Sequence, residues 1–299
     1  MVLKCLCGNS SVGRARPCQG RGREFESRLP LLMPDIIRIF LFIYLIVLAK
    51  MEVDKLTKNH VVKSYECDRE STLRIPTLMN MFQDIAYDHA NKIGVGFDFC
   101  QSHGMTWVSV GFHIIIDRMP RTGETIKVVS WPSETKSVVA IREFLVVDNN
   151  NSPIIKASSQ WAVLDLERKR PVLLRDRLIS YPVIPERALD AKFAKLPLLD
   201  RIDITSKFIV RYDDIDVNNH VNNSIYPLWA SENVDRDFRL SHIPTQIEIS
   251  FIKEGHFKDN IRVSGKIEGT TSYHSIQTDN RSGELARVKI IWSRLPLFC

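Results

Sequence analysis

The densest run of potentially reactive side chains in this sequence of 299 residues is Asp213-Asp214-Ile215-Asp216-Val217-Asn218-Asn219-His220-Val221-Asn222-Asn223. If residues 216–220 are extended, the side chains at i, i+2 and i+4 share one face. Asp216, Asn218 and His220 then present a carboxylate, an amide and an imidazole together, a set suited to activating water and holding a carbonyl. A helix read from about Val221 to Val234 follows, and the free N–H groups at such a start can stabilise a developing oxyanion. The same composition also serves turns and helix caps, so the residues alone leave both readings open. Calcium is a poor fit. Asp214, Asp216 and Asn218 mimic the opening of an EF-hand loop, but Asn219 stands where its glycine belongs and Ile225 where its glutamate belongs. The sequence contains no G-x-S-x-G elbow, H-E-x-x-H, phosphate-binding loop or G-x-G-x-x-G.

The elements that must carry this cluster occur in two rounds of strand, helix and four strands. His60 to Cys67 alternates like a strand. Pro76 opens a helix whose apolar positions are Leu78, Met79, Phe82, Ile85, Ala86 and Ile93. Four β-rich runs follow at Met105–Asp117, Glu124–Trp131, Ser137–Asp148 and Pro153–Leu166, separated by Pro120-Arg121-Thr122-Gly123 and Asn149-Asn150-Asn151-Ser152-Pro153. The second round begins with a strand at Ile204–Tyr212. After its helix come strands near Thr245–Lys253, Asn260–Glu268, Ser272–Thr278 and Leu285–Ser293. One helix and several antiparallel strands per copy predict an α+β fold, each copy a sheet wrapped around one central helix. The expected organisation is residues 51–166 as a first copy, 167–198 as a linker rich in Pro, Arg and Leu, and 199–299 as a second copy.

Residues 1–50 differ from the rest. They hold eight Lys/Arg against three Asp/Glu, while the remaining residues hold 33 against 32. The body is therefore nearly neutral, and the overall charge of +6 is no argument for a nucleic-acid partner. The stretch from Ser10 to Arg28 resembles a translated transfer-RNA gene, so an over-extended reading frame is expected, with Met51 as the natural start. The run Ile36 to Ala49, apolar apart from Arg38, falls short of the ~20 residues that span a bilayer. No stable membrane insertion is expected from it. Cys67, Cys100 and Cys299 are the only cysteines beyond residue 50, with no CxxC spacing, which fits a reducing compartment such as the cytoplasm.

The octet Asp216-Val217-Asn218-Asn219-His220-Val221-Asn222-Asn223 closely resembles the D-x-N-x-H-V-N-N signature of plant and bacterial acyl-acyl carrier protein thioesterases. Further landmarks appear in family order: Asn59-His60 to Tyr65, Leu78-Met79-Asn80, Asp117-Arg118-Met119-Pro120 with Gly123, and Ala157-Ser158-Ser159-Gln160-Trp161. The resemblance runs from about residue 55 to 294. It implies a tandem double hotdog with catalysis in the C-terminal copy. It carries catalytic roles onto Asp216, Asn218 and His220, and onto Glu254 on the strand after the helix. Many plant members have a cysteine directly after that glutamate. Gly255 stands there in this sequence, so a Cys-His covalent route is closed and water must be the nucleophile.

The mechanism so implied is general-base hydrolysis. Glu254 would deprotonate water, best served by a buried site, with Asp216 and His220 orienting it. Asn218 and the helix start would hold the thioester carbonyl. The reverse division, with His220 as base and Glu254 as its orienter, stays open. The first copy lacks the cluster, having Asp68-Arg69-Glu70-Ser71-Thr72-Leu73 before its helix. By the resemblance it forms the acyl pocket, for which Met79, Met81 and Phe82 are adaptable apolar candidates; plain core packing is the competing reading. The implied partner is an acidic acyl carrier protein. Arg168-Lys169-Arg170 and Arg175 could steer it, or could simply be a solvated surface. No cofactor or metal is needed, and the family suggests a homodimer. An acyl-coenzyme A thioesterase and a non-catalytic acyl-binding hotdog are the alternatives.

Overall fold

Strand β1 (Leu56–Val61) is followed by a 3-10 turn and then helix α1 (Ile75–Lys92), which carries Pro76 in its first turn. Leu78, Met79, Phe82, Ile85, Ala86 and His89 are its buried residues, spaced as a single helical stripe. A short helix α2 (Phe97–Ser102) leads into β2 (Met105–Ile116), β3 (Thr125–Lys136), β4 (Val139–Val147) and β5 (Pro153–Asp165). After a two-residue strand β6 (Arg170–Pro171) and a helical turn α3 (Leu174–Arg177), the pattern repeats. It runs through β7 (Ile204–Ile209), α4 (Ile225–Glu232), α5 (Arg236–Ser241), β8 (His242–Phe251), β9 (Asn260–Glu268), β10 (Thr271–Thr278) and β11 (Glu284–Arg294). This is a computed structural model that describes residues 54–178, 181–190, 192–281 and 283–295. The basic stretch and apolar run of residues 1–50 lie outside the described residues.

The strands form one antiparallel sheet in the order β1-β3-β4-β5-β2-β8-β11-β10-β9-β7, with β6 beside β5. The second half of that order mirrors the first, so the copies join edge to edge through β2 and β8. The junction runs from Gly111 opposite Ser250 to Ile115 opposite Gln246. A side chain at Gly111, next to the β2 bulge at Val110, would place its Cβ 2.5 Å from the Ile249 carbonyl oxygen, which is why a glycine stands at this junction. Each half curls around its helix, giving the α+β double hotdog. Phe82 of α1 stacks on Phe144 of β4 with ring centroids 4.6 Å apart, and Phe112 of β2 extends the stack. Burying a ring such as Phe82 contributes about 2–3 kcal/mol.

Three local expectations change. The first strand lies at Leu56–Val61, earlier than the alternation at 60–67 suggested. A Glu66 carboxylate accepting the Lys63 N–H at 2.7 Å turns the chain there instead. The described residues of 167–198 form a strap packed on both copies. Leu174 and Leu178 are buried; Arg187 Nε donates to the fully buried Glu143 at 2.6 Å, and Arg287 donates to the Leu196 carbonyl at 2.7 Å. The second-copy helix begins at Ile225, four residues later than the pattern suggests.

Candidate active site

The Asp216–His220 segment is a tight loop, the turn that the sequence left open beside the extended reading. It is anchored from below by Asp214, whose buried carboxylate accepts the Arg211 backbone N–H at 2.9 Å and its guanidinium at 2.6 Å. Ile215 and Val221 form an antiparallel bridge across the loop's base. Within it, the Asp216 N–H donates to the His220 carbonyl at 2.8 Å, and the Asn219 N–H donates back to the Asp216 carbonyl at 3.0 Å. Asp216 Oδ1 accepts the N–H groups of Asn218 at 2.8 Å and His220 at 3.3 Å. Asn219 takes φ +62°, a left-handed conformation that asparagine tolerates better than most residues. Because that single residue reverses the chain, alternation no longer decides which side chains converge. Val217 at the tip is left in solvent.

Asn222 organises the next step. Its N–H donates to the Asp214 carbonyl, its carbonyl accepts the Ile225 N–H, and its Oδ1 accepts the Ser224 N–H at 2.9 Å. The same Oδ1 accepts from Gln83 Nε2 of α1 at 3.1 Å, tying the loop to the first copy. Two of the N–H groups at the start of α4, those of Ser224 and Ile225, are therefore already used.

Glu254 lies in the segment after β8. The N–H groups of Ile252 and Lys253 both donate to the Leu285 carbonyl, and the Gly255 carbonyl accepts the Val221 N–H at 2.9 Å. That last bond brings the Glu254 segment against the loop. Asp216, Asn218, His220 and Glu254 consequently share the wall of one cavity of about 750 Å³. Asn223 and Tyr226 complete the wall on this side, while Gln83 of α1 and the β2 and β5 residues Trp107, Val110, Trp161 and Leu164 line the other. Glu254 is exposed in the free protein, where the sequence reading expected a buried site.

The first-copy helix presents Gln83 to this cavity. Met79 and Phe82 belong to the buried stripe of the helix and Met81 packs against the same core; none of the three lines the cavity. Sequence reasoning missed two groups. His256, two residues after Glu254, places its ring 5.3 Å from that of His220. Tyr226 is 2% exposed, and its hydroxyl oxygen accepts the Gly255 N–H at 3.1 Å. Burial pushes the Tyr226 phenol up to about 12; the Gly255 N–H opposes this, the Glu254 charge adds to it, Arg281 opposes it and Asp216 adds to it. An aromatic hydroxyl in the first turn of the helix was the available signal for Tyr226, but its partner lies 29 residues away.

Residues 53–181 match the profile of the acyl-ACP thioesterase N-terminal domain, and residues 200–294 that of the acyl-ACP thioesterase C-terminal domain. The chain belongs to the acyl-ACP thioesterase family. Among curated relatives, it is 32% identical over 203 residues to a chloroplastic acyl-[acyl-carrier-protein] hydrolase of Cuphea viscosissima, a match covering 62% of this chain and 46% of the relative. The chain thus spans about half the length of the first curated relatives it matches. It is also 24% identical over 275 residues to oleoyl-acyl carrier protein thioesterase 1 of Arabidopsis thaliana, covering 80% of this chain and 76% of that one. A structure titled as a putative oleoyl thioesterase from Lactobacillus plantarum superposes with TM-score 0.72 at 25% identity, covering 82% of this chain and 98% of its own. The 12:0-ACP thioesterase of Umbellularia californica shares the fold with TM-score 0.72 at 22% identity, covering 81% of this chain and 98% of its own. The two solved structures share the architecture described above.

Proposed function

We propose that the chain hydrolyses fatty acyl thioesters of acyl carrier protein to a free fatty acid and the carrier's thiol. The observation that carries this reading is the shared cavity. Four polar side chains from two segments stand on one wall, and apolar and aromatic side chains of β2 and β5 form another. A volume of about 750 Å³ is ample for an acyl chain beside a reacting head.

Glu254 takes a proton from water as the water oxygen attacks the thioester carbonyl carbon. Asn218, with Asn223 beside it, holds the carbonyl oxygen as it gains negative charge. The tetrahedral intermediate collapses, the C–S bond breaks, and the departing sulfur regains the proton from Glu254. His220 orients Glu254, and Asp216 shapes the loop that presents His220. Entry of an acyl chain removes water from the exposed Glu254, supplying the desolvation that the free site lacks. Gly255 supports water as the nucleophile, since no thiol stands beside Glu254. The first copy provides the second cavity wall through Gln83, β2 and β5, so acyl-chain recognition falls to residues 51–166.

Among the described residues, no helix is long and apolar enough to cross a membrane. Cys67 and Cys100 are buried free thiols, in keeping with the reducing cytoplasm.

The test is a product assay with matched acyl groups on acyl carrier protein and on coenzyme A. Carrier-protein thioesters should be hydrolysed faster, and a strong preference for coenzyme A would overturn the substrate assignment. Glu254→Gln should lower kcat/KM by ~10²–10⁴-fold with the melting temperature unchanged. Undiminished turnover in that variant would refute Glu254 as the base.

A further inference from the structure

One peptide unit in the site is held from two directions. The Glu254 carbonyl accepts from the Arg281 guanidinium, and the N–H of the same peptide, on Gly255, donates to the Tyr226 hydroxyl at 3.1 Å. Room for this bond exists because residue 255 is glycine. A Cβ there would stand 2.9 Å from Val221 Cγ2 and 3.2 Å from the Tyr226 oxygen.

The first copy supplies an internal control. Its Leu73 N–H donates to the Pro120 carbonyl at 2.9 Å, just as Val221 donates to Gly255 at 2.9 Å. Counting from those anchors, Leu78 corresponds to Tyr226 and Pro120 to Gly255. Leucine has no hydroxyl and proline no N–H, so packing at this point is satisfied by an apolar pair. Burying a phenol oxygen there instead carries a desolvation cost that packing does not require. The hydroxyl is present in the copy whose loop and following segment line the polar cavity.

We propose that Tyr226 is a positioning residue of the hydrolytic site: its oxygen clamps the Glu254–Gly255 peptide, and its own proton, not bonded to Glu254 in the free protein, is donated to that carboxylate when Glu254 turns into the cavity to act on substrate. The proposal rests on the reading of Glu254 as the base. A phenol oxygen that accepts one N–H still has its O–H free to rotate towards another acceptor. Tyr226 shares the cavity wall with Glu254, and among the charged groups acting on the phenol, Glu254 acts most strongly. Burial keeps the phenol protonated, with its pKa at about 12, so it is a donor throughout the neutral range.

The experiment is Tyr226→Phe in the full chain, followed by kcat, KM, melting temperature and the pH dependence of kcat. Glu254, Asp216 and Arg281 act on the phenol, and His220 and His256 stand together nearby, so the whole acid limb must be recorded. Loss of a hydrogen bond to a charged group should lower kcat about tenfold to a hundredfold, with KM changed less than about threefold. The acid limb should move to higher pH, because a carboxylate deprived of a donor is protonated more readily. A purely structural hydroxyl would lower the melting temperature and leave that limb where it was; an unmoved limb, whatever the change in kcat, overturns the proposal. Should Tyr226→Phe fail to fold, 3-fluorotyrosine at position 226 keeps the ring and strengthens the donor, and the limb should then move to lower pH. Glu254→Gln run in parallel separates the two claims. If it is inactive while Tyr226→Phe matches the parent in rate and pH profile, only the role of Tyr226 falls; if it is fully active, the hydrolytic reading falls with it.

Discussion

The loop at residues 66–73 and the loop at 214–221 are built by the same bonds and differ in what they display. Asp68 donates its N–H to the Thr72 carbonyl at 2.8 Å, as Asp216 does to His220 at 2.8 Å. Asp68 Oδ1 accepts the N–H groups of Glu70 at 2.9 Å and Thr72 at 3.0 Å, matching Asp216 with Asn218 and His220. Ser71 takes φ +60° where Asn219 takes +62°. Cys67 bridges Leu73 as Ile215 bridges Val221. The scaffold is therefore indifferent to chemistry, and the proposed function rests on exchanges upon it. Glu70 becomes Asn218, Thr72 becomes His220, and Met119 in the following segment becomes Glu254. An aspartate that does identical structural work in the loop without an imidazole is first of all a loop former.

The hardest test of that comparison is to undo the exchanges. His220→Thr with Glu254→Met gives the second copy the residues of the first. Turnover should fall by ~10²–10⁴-fold while the melting temperature stays within a few degrees, because neither residue's side chain holds the loop together. A collapse of the fold would mean that the two scaffolds are not equivalent.

A finer test separates charge from shape at the two aspartates. Asparagine keeps the accepting Oδ1, so Asp68→Asn and Asp216→Asn should each leave stability within about 0.5 kcal/mol. Only Asp216→Asn should lower kcat/KM, by about tenfold, because only there does a charge face the imidazole and the carboxylate across a cavity. Equal and negligible effects at both positions would reduce Asp216 to a loop former alone.

The duplication itself was legible in the alternating runs, since strand pattern and turn residues are local properties; β9 lies at Asn260–Glu268 as the alternation indicated. The loop geometry was not, because one left-handed asparagine at 219 converts a plausible strand into a reversal, and no periodicity announces it. The helix starts later than the pattern suggests because Asn222 and Ser224 continue a polar run without a capping signature, and Asn222 takes the first N–H groups, that of Ser224 on its side chain and that of Ile225 on its carbonyl. Met79, Met81 and Phe82 are pocket candidates through the family resemblance, with plain core packing as the competing reading; all three pack in the core, and the neighbouring Gln83 reaches the cavity. Groups whose meaning depends on a partner far away in sequence, such as Tyr226 with Gly255 or Glu143 with Arg187, leave no mark in a local pattern.

The two cores also differ in a way that pH can expose. In the first copy Phe144 of β4 stands opposite Ser130 of β3, and Phe144 stacks on α1. The corresponding position in β10 is His274, opposite Gly265 of β9. His274 Nδ1 accepts from Asn233 at 3.2 Å, and its Nε2–H donates to Ser272 at 2.9 Å, so the buried ring is neutral. Gly265 makes space for this, since a Cβ there would lie 2.7 Å from Asn233 Nδ2. Burial lowers the pKa of His274 to about 3, below the 6.5 of the free side chain. The unfolded chain thus binds a proton that the folded one refuses. The stability contributed by the neutral ring is complete above about pH 6.5 and declines as pH falls towards 3, by up to ~1.4 kcal/mol per unit. At pH 5.5 the loss from this one group is about 1.4 kcal/mol. The double variant His274→Phe, Asn233→Ile copies Phe144 and Ile85 of the first copy and should remove that part of the acid sensitivity, measured as the urea midpoint at pH 7.5 and 5.5. A midpoint that falls as steeply with pH in the variant as in the parent would show that the acid sensitivity comes from other groups.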